Sequence, residues 1–536
     1  MQKVKAVKRQ PAMNKGYSHA GASYTKKAFK GFNVESGSPA EDINANNYTL
    51  RQRCRMLYMS APIATGALKR MRTNIVGPGL KLKPTIDREV LGMTEEQADA
   101  WEKRTLAEFN LWASRKQACD ATGVNNFYGI QQLAMLSWVM SGDVFCMINF
   151  KAPTDLMPYG LRVSLLEADR VRSPIVPSTM GGKGAKVVDS LLSNNTTVKL
   201  DNGNKVFDGV EVDSTGMIIA YHVANNYPFQ TDGEETKFTR VKAYGDLTGL
   251  PNILQIMDAE RPGQYRGVPY LAQAIEPLLQ LRRYTEAELM AAMVQSFFTA
   301  FITTNAEANA MPWNEVGGEG NEEASHDPNE YEMGAGTVNI LEPGEDVKFG
   351  TPTHPNTGFN VFMRALCEQL GAALEIPADL LLMSFNSSYS ASRAALLEAW
   401  KGFRMRREWL VDDLCRPIYE IWLTEAVARG RIVAPGFLTD PLIRQAYLES
   451  QWIGPSQGQL DPTKEVQASI LAMENGLSTG EAEAVKLNGS NYRANVAKLA
   501  VERELLRKAH GGNTPTQAQT PSPDEGGENN DEEKED

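Results

Sequence analysis

Apolar residues recur at intervals of three and four positions over 359–374 and again over 396–422. This spacing places them on one face of each segment and predicts two amphipathic helices. We expect the first helix to end just before Pro377, because proline disfavours the helical conformation of its predecessor and lacks an amide hydrogen. The run 384–392 (SFNSSYSAS) between them is uncharged and rich in side chains that compete for backbone hydrogen bonds, which predicts a loop.

The pattern in the N-terminal half mixes the two periodicities. It predicts helices at 43–76 (broken at Pro62), 101–112 and 127–140, and strands at 80–84, 144–150, 161–171, 217–223, 238–247 and 252–258. Residues 173–210 are rich in Gly, Ser and Asn, which is typical of a long surface excursion. Together these signals predict one α+β domain over 43–258.

The rest of the chain is predicted to be mainly helical. The turn RPGQYRG (261–267) precedes a long apolar-striped helix, and Pro417 predicts a kink in the second central helix, which we expect to end at Gly430. The pattern further predicts strands at 301–304 and 337–341, and a last helical unit from Asp461 to residue 508.

Length and composition indicate a multidomain globular protein. A chain of 536 residues is too long for one hydrophobic core, and an apolar content of 42% is ordinary for a globular protein. The five cysteines are scattered without a CxxC pair, so we expect reduced thiols in a cytoplasmic setting and no disulfide framework. The first 30 residues lack the apolar core of a signal peptide, and the apolar-leaning run 289–306 is too polar for a membrane span.

Charge is distributed unevenly along the chain. Residues 1–34 carry seven Lys and one Arg with no acid, whereas 511–536 carry eight acids and one Lys. Both ends are poor in periodic apolar residues, so we expect both to be disordered. The stretch 284–347 contains 13 acids and no Lys or Arg. A surface with one sign of charge over such a length repels phosphate.

Catalytic signatures are weak. The sequence has no Walker A loop, GxGxxG fingerprint or HExxH motif, and its five histidines are too dispersed to predict a metal site, so no cofactor is expected. The run 476–480 matches GxSxG, but a helix is predicted before it and no suitable histidine follows, so we interpret Ser478 and Glu481 as a capping box. Arg404, Arg406 and Arg407 are interpreted as a solvated helix face rather than as a nucleic-acid site.

Several ordered motifs resemble the lambda-type portal proteins of tailed phages. The resemblance is carried by RPGQYRGVPYLAQAIEPL (261–278), SYSASRAALLEAW (388–400) and QWIGPSQGQLDPTKEVQASILAMENGLST (451–479), and it extends over about 45 to 505. It implies an α+β portal fold with wing, stem, clip and crown regions and long stem and tunnel helices, assembled as a ring, usually of twelve subunits, around a DNA channel.

The resemblance also implies a division of the chain. The segments are a disordered basic arm (1–42), a wing (43–258), a first stem helix (259–298), a clip (299–353), a second stem helix (354–376), a tunnel loop (377–392), a tunnel helix with a return to the wing (393–454), a helical crown (455–508) and a disordered acidic tail (509–536). The 173–210 and 306–336 segments are insertions relative to short members of the family.

The implied function is non-enzymatic. A portal sits at one capsid vertex of the virion, conducts double-stranded DNA, docks the terminase large subunit and head-completion proteins, and nucleates procapsid assembly with major capsid and scaffold proteins in the host cytoplasm, without a membrane. The expected tunnel-loop contacts to DNA are Ser384, Asn386, Ser387, Ser388, Tyr389, Ser390, Arg393 and Lys401. The expected clip residues facing the terminase or adaptor are Glu315, Glu319, Glu322, Glu323, Asp327 and Glu330.

Two other functions remain open from the residues alone. One is another ring-forming head–tail or neck protein, and the other is a hydrolase, which would depend on Ser478. The ring number and the partners of the two tails are also left open.

Overall fold

The chain folds into two units. The computed structural model describes residues 21–23, 26–32, 36–174, 197–230, 235–296, 300–304, 345–349, 358–384, 388–457, 462–490 and 492–509. Unit 1 extends over Met1–Gly454 and unit 2 over Pro455–Asp536. Within these ranges no helix is both long enough and apolar enough to cross a membrane.

Five helices open unit 1. They are α1 (Ala45–Ser60), α2 (Pro62–Ile75), α3 (Glu95–Ala113), α4 (Lys116–Cys119) and α5 (Phe127–Ser141). The predicted break at Pro62 is confirmed, since Ala61 is extended and Pro62 takes the first position of α2, where its missing amide hydrogen has no helical partner to lose. Thr94 and Gln97 form a capping box at the start of α3.

The strands described in unit 1 form four antiparallel sheets. The strands are β1 (Lys81–Pro84), β2 (Asp143–Phe150), β3 (Leu161–Glu167), β4 (Thr197–Lys199), β5 (Lys205–Phe207), β6 (Val210–Val212), β7 (Ile218–Ala224), β8 (Phe238–Lys242), β9 (Ile253–Met257), β10 (Ala300–Thr304), β11 (Glu345–Phe349) and β12 (Ser450–Ile453). Their orders are β3-β2-β9, β4-β5-β6-β7-β8, β1-β12 and β10-β11.

The sheets confirm most predicted strands and correct one segment. The predicted strand at 144–150 pairs with the one at 161–171, as β2 with β3. The surface excursion predicted at 173–210 is wrong for its last part, where β4, β5 and β6 belong to the five-stranded sheet. Each of these strands has three residues, too few to show an alternating apolar pattern. The predicted strand at 337–341 lies outside the described residues.

The later helices of unit 1 surround the same core. They are α6 (Ile275–Ser296), α7 (Phe359–Ala373), α8 (Ala378–Leu382), α9 (Tyr389–Leu410), α10 (Arg416–Ala428) and α11 (Pro441–Leu448). The irregularity predicted from Pro417 is a π-helical turn at Val411–Cys415, between α9 and α10. The core centres on Phe109, whose ring centroid lies within 6.0 Å of those of Trp112, Tyr419 and Trp422.

Unit 2 consists of three helices in its described part. These are α12 (Pro462–Glu474), α13 (Gly480–Asn488) and α14 (Tyr492–Ala509). The capping box predicted from Ser478 and Glu481 is wrong, because Thr479 caps α13 by accepting a hydrogen bond from the amide of Ala482. Ser478 instead donates to the carboxylate of Glu483 at 2.7 Å.

Candidate DNA-channel site

The segment between α7 and α9 is held in two left-handed turns. Glu375 follows α7 with φ of 49°, and Met383 follows α8 with φ of 56°. Few residues other than glycine adopt this conformation, so both positions are strained and depend on surrounding contacts. The prediction that 377–392 is a loop is wrong for two parts of it, since α8 lies within it and α9 begins at Tyr389.

The predicted tunnel-loop residues are spread over the loop and α9. Ser388 and Ser390 are exposed and their hydroxyl oxygens lie 3.4 Å apart at the start of α9. Ser384 is partly exposed just after α8, and Arg393 is partly buried in the second turn of α9. Asn386, Ser387 and the side chain of Tyr389 lie outside the described residues, as do all six predicted clip residues: Glu315, Glu319, Glu322, Glu323, Asp327 and Glu330.

Lys401 lies on the exposed face of α9 and is paired. Its Nζ is 2.6 Å from Oε2 of Glu398, and both side chains are largely exposed. Exposed pairs of this kind contribute roughly 0.2–1 kcal/mol, so a phosphate can displace the glutamate with little loss. This residue is therefore suited to weak, exchangeable contact rather than to tight binding.

Arg406 holds the first strained turn against the body of unit 1. Its guanidinium donates to Oε2 of Glu375 at 2.8 Å and lies 4.9 Å from the ring centroid of Tyr270. The hydroxyl of Tyr270 in turn donates to the carbonyl of Leu374. Arg406 is only 7% exposed, so the predicted solvated face is wrong at this position. A buried guanidinium needs several partners, and these contacts supply them.

Two further arginines attach the segment to α2. Arg407 donates to the carbonyls of Ile75 and Asn74 at 2.8 and 2.9 Å, and Arg70 donates to the carbonyl of Leu381 at 2.8 Å. Burial and then the nearby charge of Arg404 lower the pKa of Arg407 to about 10. Arg407 therefore attaches α9 to the end of α2. Of the three arginines predicted to form a solvated face, Arg404 is exposed.

A fully buried arginine of the RPGQYRG turn, Arg266, connects several elements of unit 1. Arg266 binds Asp143 through two bonds of 2.6 and 3.1 Å and donates to the carbonyls of Val171 and Ala168 at 2.8 and 2.9 Å. Burial by itself raises the pKa of Asp143, but the charges of Arg266 and Arg51 outweigh it and hold that pKa below its ordinary value. The turn therefore joins β2 to the residues that follow β3.

Helix α1 supplies the second half of this buried network. Arg51 contacts Asp208 at 3.3 Å and Asp169 at 3.5 Å, and Arg55 pairs with Asp169 from the next turn. The network thus connects α1, β2, the turn after β3 and the turn before β6. Sequence reasoning did not identify any of these residues, because the partners are more than a hundred positions apart.

Two glycines allow the RPGQYRG turn to approach β2. A Cβ at Gly267 would lie 1.9 Å from the carbonyl oxygen of Gly142, and Gly142 itself has φ of 89°. The carbonyl of Gly267 accepts a hydrogen bond of 2.7 Å from the side chain of Asn47. Backbone meets backbone at this point, so no side chain fits at either position.

Asp413 makes the stability of unit 1 depend on pH. It lies in the π-helical turn, where burial and then the charge of Asp412 raise its pKa to about 7 from an ordinary 3.8. Asp258 contributes further repulsion. Because the folded chain holds this proton more tightly than the unfolded chain, the free energy of unfolding falls as pH rises from about 4 to about 7 and then stays reduced.

Replacement of Asp413 by asparagine removes this penalty. We expect the free energy of unfolding at pH 8 to rise by about 1–2 kcal/mol and the fall between pH 4 and 7 to flatten. Denaturant titrations at pH 5 and pH 8 measure both effects. Glu408→Gln, at an exposed carboxylate on α9, is the control and should change neither value. An Asp413→Asn variant that keeps the wild-type pH profile would contradict this assignment.

Reactive groups in the described part of the chain are engaged or buried. Glu483 accepts hydrogen bonds from Ser469 and Ser478, and these bonds lower the pKa of its carboxyl group. The hydroxyl of Ser478, the serine of the GxSxG match, is therefore engaged. Burial raises the pKa of all five cysteine thiols. No group of three or more His, Cys, Asp or Glu side chains in the described ranges is placed to hold a metal ion.

The fold and the site together define a structural scaffold: a mixed helix and sheet framework in which Arg406 and Arg70 hold the segment between α7 and α9, and exposed hydroxyls stand at the start of α9. The model of the lambda family of phage portal proteins matches residues 25–407. The chain therefore belongs to the lambda family of phage portal proteins. Membership implies a structural component of the virion at the head–tail connection rather than an enzyme.

Two relatives match nearly the whole chain. Portal protein B of Escherichia phage lambda is 23% identical over 502 residues, which cover 90% of this chain and 88% of the relative. The portal protein of Escherichia phage N15 is 22% identical over 526 residues, which cover 94% and 92%. A chain from the neck of a native gene transfer agent particle is 12% identical in sequence. The structural match covers 83% of this chain and 94% of that chain. Its TM-score of 0.40 is too low to support an inference.

Proposed function

We propose that copies of this chain close into a ring, of twelve subunits as is usual in the family, at one vertex of the capsid. The ring conducts double-stranded DNA during packaging and ejection. It docks the terminase large subunit and the head-completion proteins, and it nucleates procapsid assembly with the major capsid and scaffold proteins in the host cytoplasm. ATP hydrolysis belongs to the terminase, because the sequence contains no phosphate-cradling loop.

The observation that carries the proposal is an arm of two helices that leaves apolar side chains uncovered. Helices α6 and α7 run side by side, with Tyr284 stacked on Phe359 at 5.6 Å between ring centroids. Beyond Leu281 in α6, and before Cys367 in α7, no described residue of either helix is buried. The arm exposes five large apolar side chains: Leu289, Met290, Met293, Val361 and Phe362.

Such a surface needs cover from other copies. Clustered exposed apolar side chains on a soluble protein mark an interaction site. In a closed ring each subunit meets its neighbours through two different surfaces, so one arm is flanked on both sides. We therefore assign the arm to the stem, where neighbouring arms bury these residues.

The proposed channel wall combines repulsion with weak contact. A ring repeats the acidic stretch 284–347 around its bore, and duplex DNA slides past such a wall rather than binding it. The exposed hydroxyls of Ser388 and Ser390, and Lys401 about three turns further along α9, add exchangeable contacts to phosphate. A tight, sequence-reading site would stop DNA that has to move.

The acid-rich clip is assigned to the packaging motor, and charge reversal tests this. We expect Glu322→Lys combined with Glu323→Lys to reduce the DNA packaged per procapsid by about tenfold, because like charges then face the motor's complementary surface. Quantification of protected DNA in procapsids provides the measurement. Asp201→Lys, an exposed charge reversal in the turn between β4 and β5, is the control. Unchanged packaging by the double variant would count against the clip assignment.

A further inference from the structure

Helix α14 is exposed along its whole length in the described part of unit 2. It comprises 18 residues, Tyr492–Ala509, and none of them is buried. Among the described residues its first turn contacts the rest of the unit: Arg493 lies 3.0 Å from Glu481, Tyr492 packs over Gly480, and Asn495 donates to the hydroxyl of Ser490 at 2.7 Å. An isolated helix of this length is marginal in water, so its apolar side chains require cover from elsewhere.

The apolar side chains of α14 form two stripes rather than one. The first stripe contains Tyr492, Val496, Leu499 and Leu506, and the second contains Ala497, Val501 and Leu505. At 100° per residue the two stripes lie about 170–180° apart around the helix. A helix that pairs in a two-stranded coiled coil needs a single stripe. Two opposite stripes fit a helix that is packed between two neighbours.

A ring of identical helices supplies these two neighbours. Each helix in a closed ring of twelve has its neighbours about 150° apart, close to the separation of the stripes. The six large apolar residues of α14 are all exposed in the single chain: Tyr492, Val496, Leu499, Val501, Leu505 and Leu506. At each interface the first stripe of one copy packs against the second stripe of the next copy. This pairing repeats around the ring until the ring closes.

Four charged residues beside the stripes are arranged to pair with a copy of the same helix, whereas Arg503 lies within the first stripe and Lys508 within the second. On one side of α14, Arg507 borders the first stripe and Glu504 borders the second. On the other side, Glu502 borders the first stripe and Lys498 borders the second. When the first stripe of one copy meets the second stripe of the next, Arg507 faces Glu504 and Glu502 faces Lys498. With the helices in axial register, as cyclic symmetry requires, the residues of the two pairs are offset along the helix axis by about 4.5 Å and 6 Å, which long side chains can bridge.

We infer that α14 of each subunit packs between the α14 helices of its two neighbours and that these helices form a closed helical barrel. The inference rests on the ring of the proposed function and adds a specific interface in unit 2. Cyclic symmetry makes all the helices parallel, as the charge pairs require.

Cysteine cross-linking in the full-length chain tests this arrangement. The variant Val501→Cys/Leu506→Cys carries one thiol on each stripe. The matched control Leu499→Cys/Leu506→Cys carries both thiols on the first stripe, and each single variant carries one. All three substituted positions are exposed, and the five native cysteines are buried, so the native fold and background reactivity should be unchanged. A short bismaleimide is added to the assembled protein, and native mass spectrometry records the assembly state.

The expected result is a ladder of covalent multimers, extending to the full ring, for Val501→Cys/Leu506→Cys alone. Dimers from a single variant or from the same-stripe control would show that like stripes meet, and would overturn the barrel. Intact rings without cross-linking in any variant would overturn the barrel while leaving the proposed ring in place. Failure of the wild-type chain to form rings would instead remove the proposed function.

Discussion

Substitution of Gly267 by alanine is expected to prevent the chain from folding stably. The added Cβ would lie 1.9 Å from the carbonyl oxygen and 2.5 Å from the carbonyl carbon of Gly142, and neither backbone atom can turn aside. Relief of this clash would separate the RPGQYRG turn from β2 and break the buried pair of Arg266 with Asp143. We expect a loss of roughly 4 kcal/mol or more in the free energy of unfolding.

Denaturant unfolding of the purified variant measures this loss, and failure to obtain soluble protein is the extreme form of the same result. Gly21→Ala is the control, since a Cβ at this position would meet no atom within 4 Å. It should change the free energy of unfolding by no more than about 1 kcal/mol. A Gly267→Ala variant as stable as this control would contradict the close approach of the two backbones.

Substitution of Leu289 by glutamate is expected to abolish ring assembly while leaving the single chain folded. Leu289 is 63% exposed on the arm of α6 and α7, so its replacement disturbs nothing within one subunit. In a ring, each interface would lose a buried leucine, worth about 1.5–3 kcal/mol, and would gain an unpaired charge. The same loss recurs at every interface, which makes the effect on closure large.

Analytical ultracentrifugation measures the loss of ring assembly, and thermal unfolding measures whether the single chain stays folded. The variant should sediment as a monomer or small oligomer and keep the thermal midpoint of the isolated wild-type chain. Leu247→Glu is the control, because this leucine is fully exposed in the turn between β8 and β9 and belongs to neither helix of the arm. Rings that form normally with Leu289→Glu would exclude the arm from the interface between copies.

Local patterns were sufficient to predict most elements of the fold. The break at Pro62, the pairing of β2 with β3 and the end of α10 near Gly430 each follow from signals within a few residues. Proline, glycine and apolar periodicity act through the backbone of the residues that carry them, so their effects can be read without knowledge of the rest of the chain.

Contacts between distant residues were not predictable in this way. Arg266 and Asp143 are 123 positions apart, and Arg51 and Asp208 are 157 apart. Charged residues are usually exposed, so the sequence alone favours a solvated interpretation. The solvated interpretation was wrong for Arg406 and Arg407. Arg406 donates to the carboxylate of Glu375, and Arg407 donates to the backbone carbonyl of Ile75.

The loop predicted for the candidate site differs from the folded chain in its internal structure. A run of Ser, Asn and Tyr predicts a loop because these side chains compete with the backbone for hydrogen bonds. In the folded chain Ser388 precedes α9 and Ser390 lies in its first turn, positions at which polar residues are well tolerated. The hydroxyls therefore stand on the end of a rigid helix, which fixes their position relative to the body of unit 1.

Cryo-electron microscopy of the purified full-length chain tests the central claim most directly. Twelve copies of a 59.1 kDa chain form a ring of about 700 kDa. We predict a ring with an axial hole, with α6 and α7 around the bore and Ser388 and Ser390 facing it. A chain that stays monomeric under every assembly condition, or a ring with these serines on its outer rim, would contradict the account.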